Sequence, residues 1–274
     1  MLVALAISAN KYKQDKSIMS KIALLFAMLF CTPLITACSA SEPAPAPQTP
    51  VVAQQLLGSP VYIQIFKEER KLELYAKMGN EFRLVNSFSI CNFSGGLGPK
   101  RREGDFKSPE GFYSVDTRHL KPDSKYYRAI NIGFPNDYDK SQGYSGAYLM
   151  IHGECKSIGC YAMTNAYMDD IYRYVEAAFA HGQSRVDISI YPFRMTEQNL
   201  QRHRSSTYIS FWRQLKPGYD YFVKNRQPPL VSVANGQYVL AQPVIGSGQP
   251  TQYASTLETN TNPFARSKPL TEVK

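Results

Sequence analysis

The reactive side chains of this sequence gather in ten residues near its middle, Ile151 to Cys160, where IHGECKSIGC threads one histidine and two cysteines with Gly153, Ser157 and Gly159. That set suits four uses: a metal site, a disulfide, a packed strand end, or a thiol nucleophile with its base. His152, Cys155 and Cys160 have H-x2-C-x4-C spacing, but a structural zinc site wants four ligands, commonly with a second paired knuckle. His119, His181 and His203 lie elsewhere without sequence partners, so neither a metal nor any other cofactor is expected. A thiol with pKa about 8.5 is mostly protonated at neutral pH, and a histidine within reach can take its proton to give a thiolate–imidazolium pair. In that reading the N–H groups of Gly159 and Cys160 face a tetrahedral oxyanion, and a helix just beyond Cys160 adds a favourable dipole. An average cysteine is a buried small hydrophobe, so the residues alone leave the strand end standing beside the nucleophile.

Rigid elements must hold such a cluster. GAYLMIH (146–152) reads as a strand that delivers His152 to its end. After Cys160, Thr164 or Asn165 can cap a helix in which Met168, Ile171, Tyr172, Val175, Ala178 and Phe179 recur at three- and four-residue spacing, and Gly182 closes it. VYIQIFK, KLELYAK and EFRLVNSFSI alternate as an antiparallel meander from about Pro60. GFYSV (111–115), YRAINIGF (127–134) and RVDISIYPF (185–193) add further strands. The segment 195–226, with the sole tryptophan Trp212, looks helical and either packs on the domain or forms an arm. From Gln227 to the end, 227–274, the chain is polar and proline-containing and is expected to be mostly disordered. With 274 residues, 43% apolar and 12% aromatic, there is material for a core, and the expected class is mainly β with one prominent helix and a helical C-terminal extension.

The N-terminal part carries a different message. Lys21 precedes IALLFAMLF and CTPLITAC, a run too short to span a bilayer comfortably and interrupted by Pro33. Residues 1–37 read as a signal peptide whose true start is Met19. Ile35-Thr36-Ala37-Cys38 resembles the bacterial lipobox, which implies that Cys38 becomes the acylated first residue and anchors the protein in a membrane. Ser39 after it points to the outer membrane. SASEPAPAPQTPVVAQQ then makes 38–59 an extended tether. Export leaves Cys91, Cys155 and Cys160 in an oxidising space, an odd number; a Cys91–Cys155 bridge would leave Cys160 free. Losing four lysines and one aspartate with the leader lowers the net charge from +9 to +6. A moderately basic envelope protein suits an acidic polymer or anionic surface, and export removes nucleic acid as a partner.

HGECKSIGC resembles the signature of the L,D-transpeptidase catalytic domain, or YkuD family: an upstream H-G followed by S-H-G-C. Ser157, Gly159 and Cys160 are in place, Ile158 replaces the second histidine, and Tyr161-Ala162 replaces an apolar-Arg/Asn pair. REGDFKSPEGFYSV looks like a second family motif, G-D-x-x-T-P-x-G-x-F/Y, with Ser108 for threonine. The resemblance spans about residues 60–194 and implies a β-sandwich domain. In that domain Cys160 is the nucleophile, His152 with Gly153 supplies the base, and Ser157 and Gly159 shape the turn and oxyanion site. It also implies peptidoglycan stem peptides as substrates, attacked at the L-centre of diaminopimelate through a thioester. The short His152–Cys160 gap and CNFSGGLGPK are similar to a branch that contains peptidoglycan–lipoprotein amidases. That likeness implies hydrolysis of the link to a lysine-attached lipoprotein; 3→3 cross-linking and inert wall binding are the alternatives. SGGLGPKRR lacks the spacing of a nucleotide-binding loop. Lys100, Arg101 and Arg102, with Gly95 and Gly96 before them, are instead expected to meet the stem-peptide carboxylates.

Overall fold

The computed structural model describes residues 55–241. The proposed signal peptide, Cys38, most of the tether and the chain beyond residue 241 lie outside the described residues. Two main sheets carry the fold. The first has the order β3-β2-β1-β9-β4, built from β1 (Val61–Phe66), β2 (Lys71–Met78), β3 (Glu81–Ser89), β4 (Gly111–Val115) and β9 (Val186–Tyr191). Neighbours in it are antiparallel except β1 and β9, which run parallel. The second sheet orders β5 (Leu120–Ser124), β6 (Tyr127–Asn131), β7 (Met150–His152) and β8 (Tyr161–Ala162), with β7 and β8 parallel.

Helix α2 (Asn165–Ala180) follows β8, after the short helix α1 (Asp137–Ser141). Thr164 caps α2, its hydroxyl accepting from the Tyr167 N–H, which satisfies one of the otherwise unpaired first-turn donors. Met168, Ile171, Val175 and Ala178 of α2 join Ile63, Ile65 and Ile188 of the first sheet and Ile130 and Ile151 of the second in one core. This core holds β7, and hence His152, against the rest of the domain.

In β1 both faces are buried, because a second layer covers the side away from α2. Helices α3 (Glu197–Arg202) and α4 (Ile209–Asn225) supply it: Phe211, Trp212 and Leu215 pack with Phe66, Tyr191 and Phe193. Trp212 donates its indole N–H to Glu110 Oε2 at 2.8 Å. The C-terminal helices are thus part of the domain, not an arm, and the architecture is mixed α/β with helices on the first sheet. Gly218 in α4 lies where a Cβ would come within 2.6 Å of the Phe112 ring, so this close approach requires glycine.

The expected disordered tail is corrected over its first part. Strands β10 (Val231–Ala234) and β11 (Gln237–Leu240) form an antiparallel hairpin around Asn235-Gly236, both at positive φ. Tyr238 pins it to the domain, stacking on Tyr138 at 4.4 Å and accepting from Asn136 at 2.8 Å. At the other end Leu56 is already buried in the main core, so packing begins before Pro60.

Candidate active site

β7 ends on His152, which is 1% exposed. Its Nδ1 lies 2.6 Å from the Gly153 carbonyl oxygen. A carbonyl only accepts, so Nδ1 carries the proton and Nε2 is left as the basic nitrogen. Tyr126 stacks on the imidazole with ring centroids 4.9 Å apart, and its carbonyl accepts from the Gly153 N–H at 3.1 Å. Burial keeps the imidazole pKa below its usual value, against the raising effect of the Gly153 carbonyl and the Glu154 carboxylate. His152 is therefore a neutral base at neutral pH.

Cys160 shares a cavity of about 730 Å³ with His152. Its thiol donates to the Tyr148 carbonyl at 3.7 Å. Desolvation raises the thiol pKa, opposed by hydrogen bonding to the Met150 backbone and by the Lys100 charge. With the thiol pushed up and the imidazole pushed down, the free site rests as a neutral pair. The resting thiolate–imidazolium pair expected from sequence is therefore not favoured in the free site.

Ser157 builds the turn before Cys160. Its hydroxyl donates to the Cys160 carbonyl at 2.7 Å and accepts from the Gly159 N–H at 3.1 Å. Ser108, from the second motif, also donates to the Cys160 carbonyl, at 3.2 Å. Gly159 has φ +153, in the region that favours glycine. Because its N–H is spent on Ser157, only the Cys160 N–H of the expected pair is free for an oxyanion; it meets no acceptor among the described residues. The two-residue β8 separates Cys160 from α2, so the thiol does not sit at the helix N-terminus as expected.

Of the proposed carboxylate-binding residues, Lys100 alone lines the cavity, and its ammonium already meets Asp105 at 2.8 Å and the Arg102 carbonyl at 3.0 Å. Arg101 lies over the Tyr208 ring at 5.2 Å and Arg102 is exposed. Gly95 and Gly96 belong to a loop fastened from outside the cavity: Lys107 donates to Gly95 O, and the buried Lys67 to Gly98 O, Ser108 O and Glu110. Gly95 and Gly96 themselves do not line the cavity.

Cys91 and Cys155 are joined in a disulfide with Cα atoms 5.1 Å apart, and Cys160 is the free cysteine of the described residues. Cys155 is thereby committed elsewhere than to a metal. Two contributors escaped sequence reasoning. Asn165, read as a possible cap, accepts the Glu154 N–H on its side-chain oxygen at 2.9 Å, a partner 11 residues away that a cap position does not announce. Tyr126 gave none, since its stacking on His152 arises only when β6 and β7 pair.

A thiol, a neutral imidazole with a fixed tautomer and an open backbone N–H in one cavity are the groups that acyl transfer by a cysteine requires. The L,D-transpeptidase catalytic domain (YkuD) matches residues 60–188, and YafK of Escherichia coli strain K12, provisionally assigned as an L,D-transpeptidase, is 59% identical over 228 residues. That alignment covers 82% of this chain and 92% of YafK, and the protein of strain O157:H7 matches equally. The chain therefore belongs to the L,D-transpeptidase family, cysteine enzymes that act on peptidoglycan. Among solved structures, the helical cell shape determining protein Pgp2 of Campylobacter jejuni is 20% identical, covering 64% of this chain and 73% of its own, with a TM-score of 0.41. Bd1075 of Bdellovibrio bacteriovorus is 22% identical, covering 59% of this chain and 60% of its own, with a TM-score of 0.35.

Proposed function

We propose that this protein hydrolyses the amide joining the L-centre carbonyl of diaminopimelate in peptidoglycan to the side-chain amine of a lysine in a bound lipoprotein. The observation that carries the reading is the placement of Cys160 and a tautomer-fixed His152 in one cavity. His152 Nε2 takes the thiol proton as sulfur attacks the carbonyl; the Cys160 N–H faces the oxyanion. The imidazolium returns that proton to the departing lysine amine, leaving a thioester on Cys160. Water, deprotonated by the same nitrogen, cleaves the thioester to a carboxylate and restores the thiol. Resemblance to the amidase-containing branch supports water as the final acceptor, and the oxidising envelope in which the disulfide persists supports action on the periplasmic side.

The test is incubation of purified sacculi carrying bound lipoprotein with wild type and with Cys160→Ala, followed by muropeptide analysis. Loss of lysine-bearing stems with wild type alone is the expected result. New 3→3 dimers would make the protein a transpeptidase, and identical profiles from the two proteins would make it a binding module.

A further inference from the structure

We propose that the Cys91–Cys155 disulfide positions the catalytic base, so that the two thiols must be joined in this bridge for Cys160 to be reactive. The proposal rests on His152 serving Cys160 as its base. Everything that makes Nε2 the basic nitrogen depends on where the Gly153 carbonyl points. The next two residues, Glu154 and Cys155, both lie in the left-handed region, with φ +66 and +54, a conformation that side-chain-bearing residues hold only when their surroundings impose it.

Three attachments impose it. The Glu154 N–H reaches Asn165 Oδ1 at 2.9 Å, the Cys155 N–H makes a long bond of 3.3 Å to Met163 O, and the Cys155 sulfur is bonded to Cys91. Cys91 is itself anchored: its N–H donates to Ala162 O at 2.9 Å, and its carbonyl accepts from Arg70 at 2.7 Å. The bridge thus ties the segment carrying the tautomer-fixing carbonyl to the chain leaving β3, across 64 residues of sequence.

Two-electron reduction by a phosphine, which becomes its oxide by taking oxygen from water, converts the bridge to two thiols. The left-handed pair can then relax and the Gly153 carbonyl swing away. The proton on His152 redistributes between its nitrogens, and Cys160 loses its oriented base. The bridge also keeps Cys155, five positions from the nucleophile, from pairing with it.

Alkylation of Cys160 by iodoacetamide, followed against pH by intact mass, tests this without any murein substrate, so the outcome is independent of which bond the enzyme cleaves. The proteins are wild type, His152→Ala and Cys91→Ala/Cys155→Ala, in each of which Cys160 is the free thiol of the described domain. The wild-type profile should rise at lower pH than that of His152→Ala. The double variant should follow His152→Ala, with alkylation at pH 7 slowed at least about tenfold. A double-variant profile superimposed on wild type would overturn the proposal. Should the double variant fail to fold, wild type reduced by the phosphine, shown folded by circular dichroism and mapped at Cys160 by peptide mass, must show the same slowing and recover on reoxidation; unchanged reactivity there would overturn it equally.

Discussion

The back and the front of the Cys160 cavity are built on opposite principles. At the back, His152 is 1% exposed, stacked on Tyr126, fixed by Gly153 and flanked by a disulfide. At the front, Phe106, Tyr148 and Ile158 are 62%, 72% and 78% exposed, large apolar side chains facing solvent around the thiol. Phe106 and Tyr148 sit at φ +55 and +57, a strained conformation for such residues. The Phe106 loop is stiff, because the neighbouring Asp105 carboxylate accepts from the backbone N–H groups of Arg101, Arg102 and Lys107 and from Lys100, which draws its pKa down to about 2. The difference teaches that the fold fixes the chemistry, whereas the exposed rim is free to choose what meets it.

Substitutions at the back should strike turnover. Cys160→Ala removes the nucleophile and is expected to abolish release of lysine-bearing stems from sacculi. His152→Ala should lower kcat/KM by about 10² or more, with the pH optimum displaced upward toward the titration of an unassisted thiol. A pH profile shared with wild type would show that the imidazole is not the base.

Front substitutions should act on binding. Phe106→Gly/Tyr148→Gly places glycine where positive φ carries no penalty, so Tm should hold or rise while KM increases about tenfold, near 1.4 kcal/mol of lost apolar contact. An equal fall in kcat with unchanged KM would erase the distinction between the two walls. The smallest effect is expected far from either. Asp139 is buried, with its pKa raised by desolvation from 3.8 to about 6, while accepting from the Tyr113 hydroxyl and the Asn136 N–H. The folded state therefore binds the extra proton between those values, and the charged carboxylate costs stability above them. Asp139→Asn should raise stability at pH 7 by about 1 kcal/mol, a gain that fades as pH falls from about 6 to about 4. Denaturant midpoints at both pH values measure it.

The same contrast decides what the sequence could reveal. Alternation exposed β1 to β4, β6, β7 and β9 but not the short β5 and β8, three- and four-residue spacing exposed α2, and the cluster with its two motifs pointed to Cys160 and His152, all local signals. The tautomer lock, the Tyr126 stack and the Lys67–Glu110–Trp212 brace join residues far apart in sequence, so no local pattern announces them. The hairpin of β10 and β11 is different: Val231, Val233, Tyr238 and Leu240 alternate around Asn235-Gly236, a recognisable turn pair. The polar, proline-containing composition of the surrounding segment masked it. Arg101 and Arg102 lie off the cavity lining that Lys100 joins, a placement no local pattern announces, since charge in sequence does not tell which way a loop faces.

The central claim is that Cys160 is acylated by a murein fragment with His152 as its base. Intact-mass measurement after rapid acid quench of the enzyme with solubilised, lipoprotein-bearing muropeptides tests it most directly. The account predicts a thioester adduct on Cys160 that accumulates quickly in wild type, forms at least about 10²-fold more slowly in His152→Ala and is absent from Cys160→Ala. Turnover of the same substrate with no adduct at any quench time, or adduct formation at equal rates with and without His152, would contradict it.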